Sequence, residues 1–207
     1  MNNSGPTASQ LHNYEHLIES LIQSGFGSIN QFFSADLTSR LRDKLLSHYA
    51  DGHMHKAGIG KKHDIVIRQD IRGDVILWMN NDSVDLDEIE FLASVNQFIS
   101  YLNRTCFAGI VEFECHYALY DVGSFYKRHL DQFQRDDKRV YSFVTYLNID
   151  WQAKDLGQLI AYFPNAEKRT IFPYGGSIAC FKADEIEHEV NASTRPRLSI
   201  AGWFKRQ

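Results

Sequence analysis

Cysteine is scarce in this chain, three in 207 residues, and Cys106, Cys115 and Cys180 form no CxxC pair. An odd, dispersed set excludes both a disulfide framework and a zinc cluster, and buried, reduced thiols are the expectation. Long apolar runs are missing too: no stretch of about 18 apolar residues reads as a membrane span. The opening MNNSGPTASQ is polar and lacks the charged and apolar regions of a signal peptide, so the cytoplasm is the expected compartment. Charge of one sign is not in excess, since the formal net charge is -4, and nothing points to nucleic acid or an anionic membrane as partner. Repeats and low-complexity segments are absent. The length suits one well-buried core and is short for two enzyme domains, so 1–207 is expected to be a single domain and a monomer.

What is present falls into two halves. Leu11, Tyr14, Leu17, Ile18, Leu21 and Ile22 recur at helical spacing before Gly25; a second helix is expected from Asp36 as N-cap to Gly52, and a third from Leu86 to Leu102. Between them, residues 53–79 read as a glycine-punctuated loop running into a strand. From Val111 onward, VEFECHYALY, VYSFVTYLN, QLIAYF, SIACF and RLSIAGWF are short β-rich runs with turn residues between them. No helical pattern or long crossover intervenes, which predicts an antiparallel sandwich or jelly roll. The expected fold is thus α+β, with N-terminal helices packed on one sheet.

Within the β half, HLD places His129 and Asp131 two apart, on one face of an extended segment. Alone this is as compatible with a surface histidine beside an acid as with a metal site. His188, ahead of the last strand, offers a third ligand. Two histidines and a carboxylate form the facial triad of non-haem Fe(II) oxygenases, although zinc also accepts such a set. Arg197, Ser199, Ala201 and Trp203 then follow at period two, aligning a guanidinium and a hydroxyl with the same cavity. A buried arginine there needs an anionic partner, which a dicarboxylate ligand supplies.

These residues resemble the 2-oxoglutarate- and Fe(II)-dependent dioxygenases of the prolyl 4-hydroxylase superfamily. Within it the chain is most similar to the prolyl hydroxylases acting on hypoxia-inducible factor and to their bacterial relatives. The match runs from DIRGDVILW at Asp70 through YDVGSFYKRHLD, YLNIDW and HEV to Trp203, covering residues 70–204. The resemblance implies a double-stranded β-helix (cupin-like) core over 106–207, helical support over 10–105 and a mobile finger loop over 53–70. It implies His129, Asp131 and His188 as Fe(II) ligands, Arg197 and Tyr146 on the far carboxylate of 2-oxoglutarate with Ser199 beside them, and Tyr120 at its keto-acid end. Tyr126 and Trp203 are expected beside the target proline. Arg72 and Asp74 are expected on the substrate side, with Asp74 paired to Arg139.

The activity so implied is hydroxylation at C4 of a prolyl residue in a protein, consuming O2, releasing succinate and CO2, and drawing on ascorbate as reductant. The bacterial relatives imply elongation factor Tu as target. Hydroxylation of a free amino acid or small peptide is the alternative, and a non-catalytic metal or dicarboxylate sensor a third reading. The chain departs from the family pattern at Leu156–Leu159, where one glycine stands instead of two. His53, His55 and His63 read as solvated loop residues and His116 as structural. Lys61, Lys62, Arg68 and Arg72 make the finger basic, and Asp136 and Asp137 read as a polar loop.

Overall fold

Helix α1 (Ala8–Ser24) opens on a reciprocal cap: the Thr7 hydroxyl accepts from the Gln10 N–H, and the Gln10 side chain accepts from the Thr7 N–H. It closes on Gly25 at φ +70°, where glycine carries no Cβ penalty. In this computed structural model, which describes residues 5–58, 68, 70–132 and 138–207, α2 spans Ala35–Ala50 and is capped by Ser34 rather than by Asp36. The Ser34 hydroxyl accepts from the Leu37 N–H, while Asp36 sits in the first turn, where its charge complements the helix dipole. Helix α3 (Leu86–Cys106) starts where Asp85 accepts from two backbone amides, and it runs past the expected end at Leu102.

The strands are β1 (Phe26–Ile29), β2 (His55–Lys56), β3 (Asp74–Trp78), β4 (Glu112–Tyr120), β5 (Tyr126–His129), β6 (Arg139–Tyr146), β7 (Leu159–Tyr162), β8 (Lys168–Ile171), β9 (Ile178–Lys182), β10 (Glu187–Val190) and β11 (Arg197–Lys205). They form two antiparallel sheets, of order β1-β9-β6-β11-β4-β3-β2 and β5-β10-β7-β8. Strands β1, β2 and β8 are too short or too polar to show alternation in the sequence. The large sheet separates two environments. Phe113, Cys115, Tyr117 and Leu119 of β4 face the helices with Leu198, Ile200 and Phe204 of β11, in one core with Leu17, Leu41 and Phe98. Their alternate neighbours, including His116 and Tyr120 on β4 and Arg197 and Ser199 on β11, face the smaller sheet and line a chamber between the two.

This is the expected α+β architecture, helices on one face of the large sheet and a double-stranded β-helix enclosing a site. Cys115 and Cys180 are buried as expected, but Cys106 is exposed, because α3 carries its last residue beyond the core. No helix among the described residues is long and apolar enough to cross a membrane.

Candidate active site

Strands β5 and β10 pair with His188 directly opposite His129, so two imidazoles distant in sequence meet with ring centroids 4.3 Å apart. The chain leaves β5 after His129, and Asp131 reaches both: its oxygens lie 3.4 Å from His129 Nε2 and 3.6 Å from His188 Nε2. His129 Nδ1 is 2.7 Å from the Lys127 carbonyl and His188 Nδ1 is 3.3 Å from the Ile186 carbonyl. A carbonyl only accepts, so each ring commits its N–H there and presents the Nε2 lone pair to the carboxylate. Ser142 of β6 donates its Oγ–H to Asp131 Oδ2 at 2.6 Å, fixing the carboxylate's orientation.

One ligand atom from each of His129, Asp131 and His188 lies within 4.8 Å of the others, the one such group among the described residues. Three converging lone pairs with no proton between them repel, and a cation resolves the repulsion. The donor set fits an octahedral ion with its remaining positions open. Burial opposes ionisation of Asp131, but the charge that His188 and His129 carry when protonated, together with the Ser142 hydrogen bond, outweighs it and holds the carboxyl well below the usual carboxylate range. Burial also pushes the His188 imidazole down to about 4, so both groups stand deprotonated at neutral pH.

Arg197, 1% exposed, has been carried out of water by β11. Its Nε donates to the Gly157 carbonyl at 2.9 Å and its Nη1 to Ser199 Oγ at 3.3 Å. Both acceptors are neutral, and no carboxylate among the described residues pairs with it. The rings of Tyr120 and Tyr146 each lie 5.1 Å from its central carbon. The Tyr146 hydroxyl is buried with no hydrogen-bond partner, an arrangement that costs about 1–3 kcal/mol unless a ligand accepts from it. A buried cation without a counter-ion beside an unpaired hydroxyl fits a carboxylate.

Gly157 holds this corner at φ +69°, and a Cβ there would stand 2.9 Å from Ser193 Cβ and 3.4 Å from Arg197 Cδ. The single glycine of Leu156–Leu159 fills the crowded position of the turn, while Leu156 before it takes φ +59°, a value that favours the glycine missing from this chain. Gly157→Ala is expected to cost about 1–3 kcal/mol of stability, through strain and crowding, with the loss measured by urea unfolding.

The chamber's mouth departs from expectation. Asp74 binds Arg72, at 2.8 and 2.6 Å, and Arg72 lies 4.4 Å over the Tyr126 ring, which stacks on His129 at 3.6 Å. Arg139 instead pairs with Glu114 at 2.9 and 2.8 Å and covers Trp203 at 3.7 Å. The expected Asp74–Arg139 pair is replaced because Arg139 stands opposite Lys205, one same-face step along β11 from Trp203 and its partner Glu114, whereas Asp74 stands opposite Tyr120 at the other end of β4. A double-mutant cycle is expected to give about 1 kcal/mol of coupling between Arg139→Gln and Glu114→Gln and additive effects for Arg139→Gln with Asp74→Asn.

Sequence reasoning missed Ser142, Glu114 and the place of His116, which lines the chamber. Their signal was phase alone: Ser142 shares a face with Tyr146, and Glu114 and His116 share one with Tyr120. His53 and His55 join no metal cluster among the described residues, whereas Lys61, Lys62, His63, Asp136 and Asp137 lie outside them, as does most of the 53–70 loop.

Residues 115–205 match the 2OG-Fe(II) oxygenase superfamily. A prolyl-4-hydroxylase from Pseudomonas putida is 34% identical, superposes with a TM-score of 0.85, and the alignment covers 94% of this chain and 99% of that one. The chain belongs to the 2OG-Fe(II) oxygenases of prolyl 4-hydroxylase type. The oxygenase is also similar to a Trichoplax adhaerens prolyl hydroxylase solved with a hypoxia-inducible factor peptide fragment, at 26% identity and a TM-score of 0.84 over 97% of this chain and 94% of that one. Human prolyl hydroxylase EGLN3 is 24% identical over 92% of this chain and 82% of that protein. The oxygenase is accordingly an iron- and 2-oxoglutarate-dependent dioxygenase.

Proposed function

We propose that the oxygenase hydroxylates a prolyl residue within a polypeptide, at C4, with His129, Asp131 and His188 holding Fe(II) and Arg197 anchoring 2-oxoglutarate. The observation that carries this reading is the pairing of two unmet needs in one chamber. Three lone pairs call for a cation, and a buried guanidinium without a counter-ion among the described residues, beside a phenol with no partner, calls for a carboxylate.

Iron with bound 2-oxoglutarate supplies the oxidation, in which O2 and the keto acid give succinate and CO2 while one oxygen atom enters a substrate C–H bond. The chain's residues supply position and exclusion of water. Ser142 fixes Asp131, and the Lys127 and Ile186 carbonyls fix the imidazole tautomers. Arg197, Ser199 and Tyr146 would hold the far carboxylate of 2-oxoglutarate, and Tyr120 would line the pocket beside it. Tyr126 and Trp203, the latter pinned by Arg139, are hydrophobic walls for a pyrrolidine ring.

The similarity to enzymes named as prolyl hydroxylases, one of them solved with a peptide, supports a polypeptide substrate. Elongation factor Tu, implied by the resemblance to bacterial relatives, is the first target to assay. The test loads the protein anaerobically with Fe(II) and 2-oxoglutarate, with ascorbate as reductant, and then admits O2. Succinate release stimulated by a prolyl polypeptide supports the proposal; release stimulated only by free proline moves the substrate to a free amino acid, and no stimulation by either refutes it.

A further inference from the structure

His116 is 3% exposed and lies in the chamber wall between two tryptophans, with ring centroids 5.0 Å from Trp78 and 5.5 Å from Trp203. In the register it stands opposite Trp78 on one side and Ala201 on the other, one step inward from Trp203. Its Nδ1 is 3.1 Å from the Tyr117 carbonyl. Because that oxygen only accepts, the ring proton is on Nδ1 and Nε2 carries a lone pair. Burial, the largest influence on this imidazole, pushes its pKa down to about 4, so the ring stays neutral and the lone pair remains available. No described residue donates to Nε2.

The neighbouring Trp203 lines the same chamber and is the wall proposed for the proline ring, so the open acceptor on His116 stands beside the polypeptide to which that proline belongs. We propose that His116 is a specificity-determining residue that accepts from the N–H of the peptide group immediately following the target proline. This inference rests on the prolyl reading above. Chemistry selects that amide: the peptide group preceding a proline is tertiary and has no N–H, whereas the one following it carries the prolyl C=O and the next residue's N–H. His116 Nε2 accepts from that N–H. Free proline and a C-terminal proline lack the group, so the site selects internal prolines.

The experiment uses protein loaded with Zn(II), which is redox-silent, and 2-oxoglutarate. Two probes are compared: an alanine-based peptide with one internal proline, and the same peptide with lactic acid in place of the alanine after proline, which turns the N–H into an ester oxygen. Wild-type protein is expected to bind the ester roughly 3- to 10-fold more weakly, the loss of one neutral hydrogen bond. His116→Leu is expected to bind both equally, at the level of the wild-type ester complex, and His116→Gln, which keeps an acceptor, is expected to restore the discrimination. Imidazole 15N spectra check the tautomer without any peptide: an unprotonated Nε2 that shifts when the amide peptide is added supports the assignment, and a protonated Nε2 overturns it. Equal discrimination in wild type and His116→Leu, with the amide peptide still bound and hydroxylated by the iron form, overturns this inference alone. Failure of wild type to bind either probe counts against the prolyl reading and against this inference with it.

Discussion

Replacing Arg197 with methionine is expected to weaken 2-oxoglutarate binding by about 2–5 kcal/mol, roughly 30- to 4,000-fold, while Mn(II) still binds at the triad. On the proposed reading the far carboxylate of the keto acid would enter the region where Arg197 is buried, and this guanidinium would meet its charge. Methionine fills similar volume without charge, so the bound carboxylate loses its counter-ion. The free protein responds in the opposite direction. Arg197 has no anionic partner among the described residues, and removing an uncompensated buried charge relieves a desolvation cost. Its melting temperature is therefore expected to hold or rise as co-substrate affinity collapses. Arg197→Lys is expected to fall between, since an ammonium keeps the charge but cannot present the planar fork. Titration of the Mn(II)-loaded protein with 2-oxoglutarate and a thermal melt of the free protein give the two readings. Unchanged 2-oxoglutarate affinity in Arg197→Met would remove Arg197 from the site.

The second large effect is expected at Asp131. Asp131→Asn keeps the shape and leaves Ser142 an oxygen to bond, yet it removes the one anionic ligand. Metal affinity is expected to drop by more than the roughly 10- to 100-fold that follows loss of an outer hydrogen-bond partner. Ser142→Ala supplies that reference, because it deletes the 2.6 Å hydrogen bond to Oδ2 and leaves all three ligands in place. Anaerobic Fe(II) titrations should rank wild type above Ser142→Ala and Ser142→Ala above Asp131→Asn. The reverse order of the two variants would mean that the carboxylate is a structural group and no ligand.

Much of this architecture was legible in the sequence where one physical requirement governs a long segment. Strands β4 and β11 alternate cleanly because one face packs on three helices and the other lines the chamber, so the period-two placement of Arg197, Ser199, Ala201 and Trp203 carried directly into space. Helix α1 was readable from its apolar spacing and Gly25. The start of α2 was not, because Ser34 and Asp36 are both good caps and only backbone geometry decides between them. Ion pairs at the mouth were less legible still. Arg139 had two acids within plausible reach, Asp74 and Glu114, and the choice depends on strand register across three strands, which local sequence does not encode. His116 shows the same limit: alternation told which face it occupies, but not that this face opens on the chamber between Trp78 and Trp203.

The most direct test of the account is isotopic. The Fe(II)-loaded protein, given 2-oxoglutarate, a prolyl polypeptide that it turns over and 18O2, should form one succinate for each hydroxyprolyl residue, with 18O on the ring carbon and in the succinate. His129→Ala and Arg197→Met should form neither product. Succinate without label on proline, or hydroxyproline made equally well by His129→Ala, would contradict the assignment of this chamber as an iron- and 2-oxoglutarate-dependent prolyl hydroxylase site.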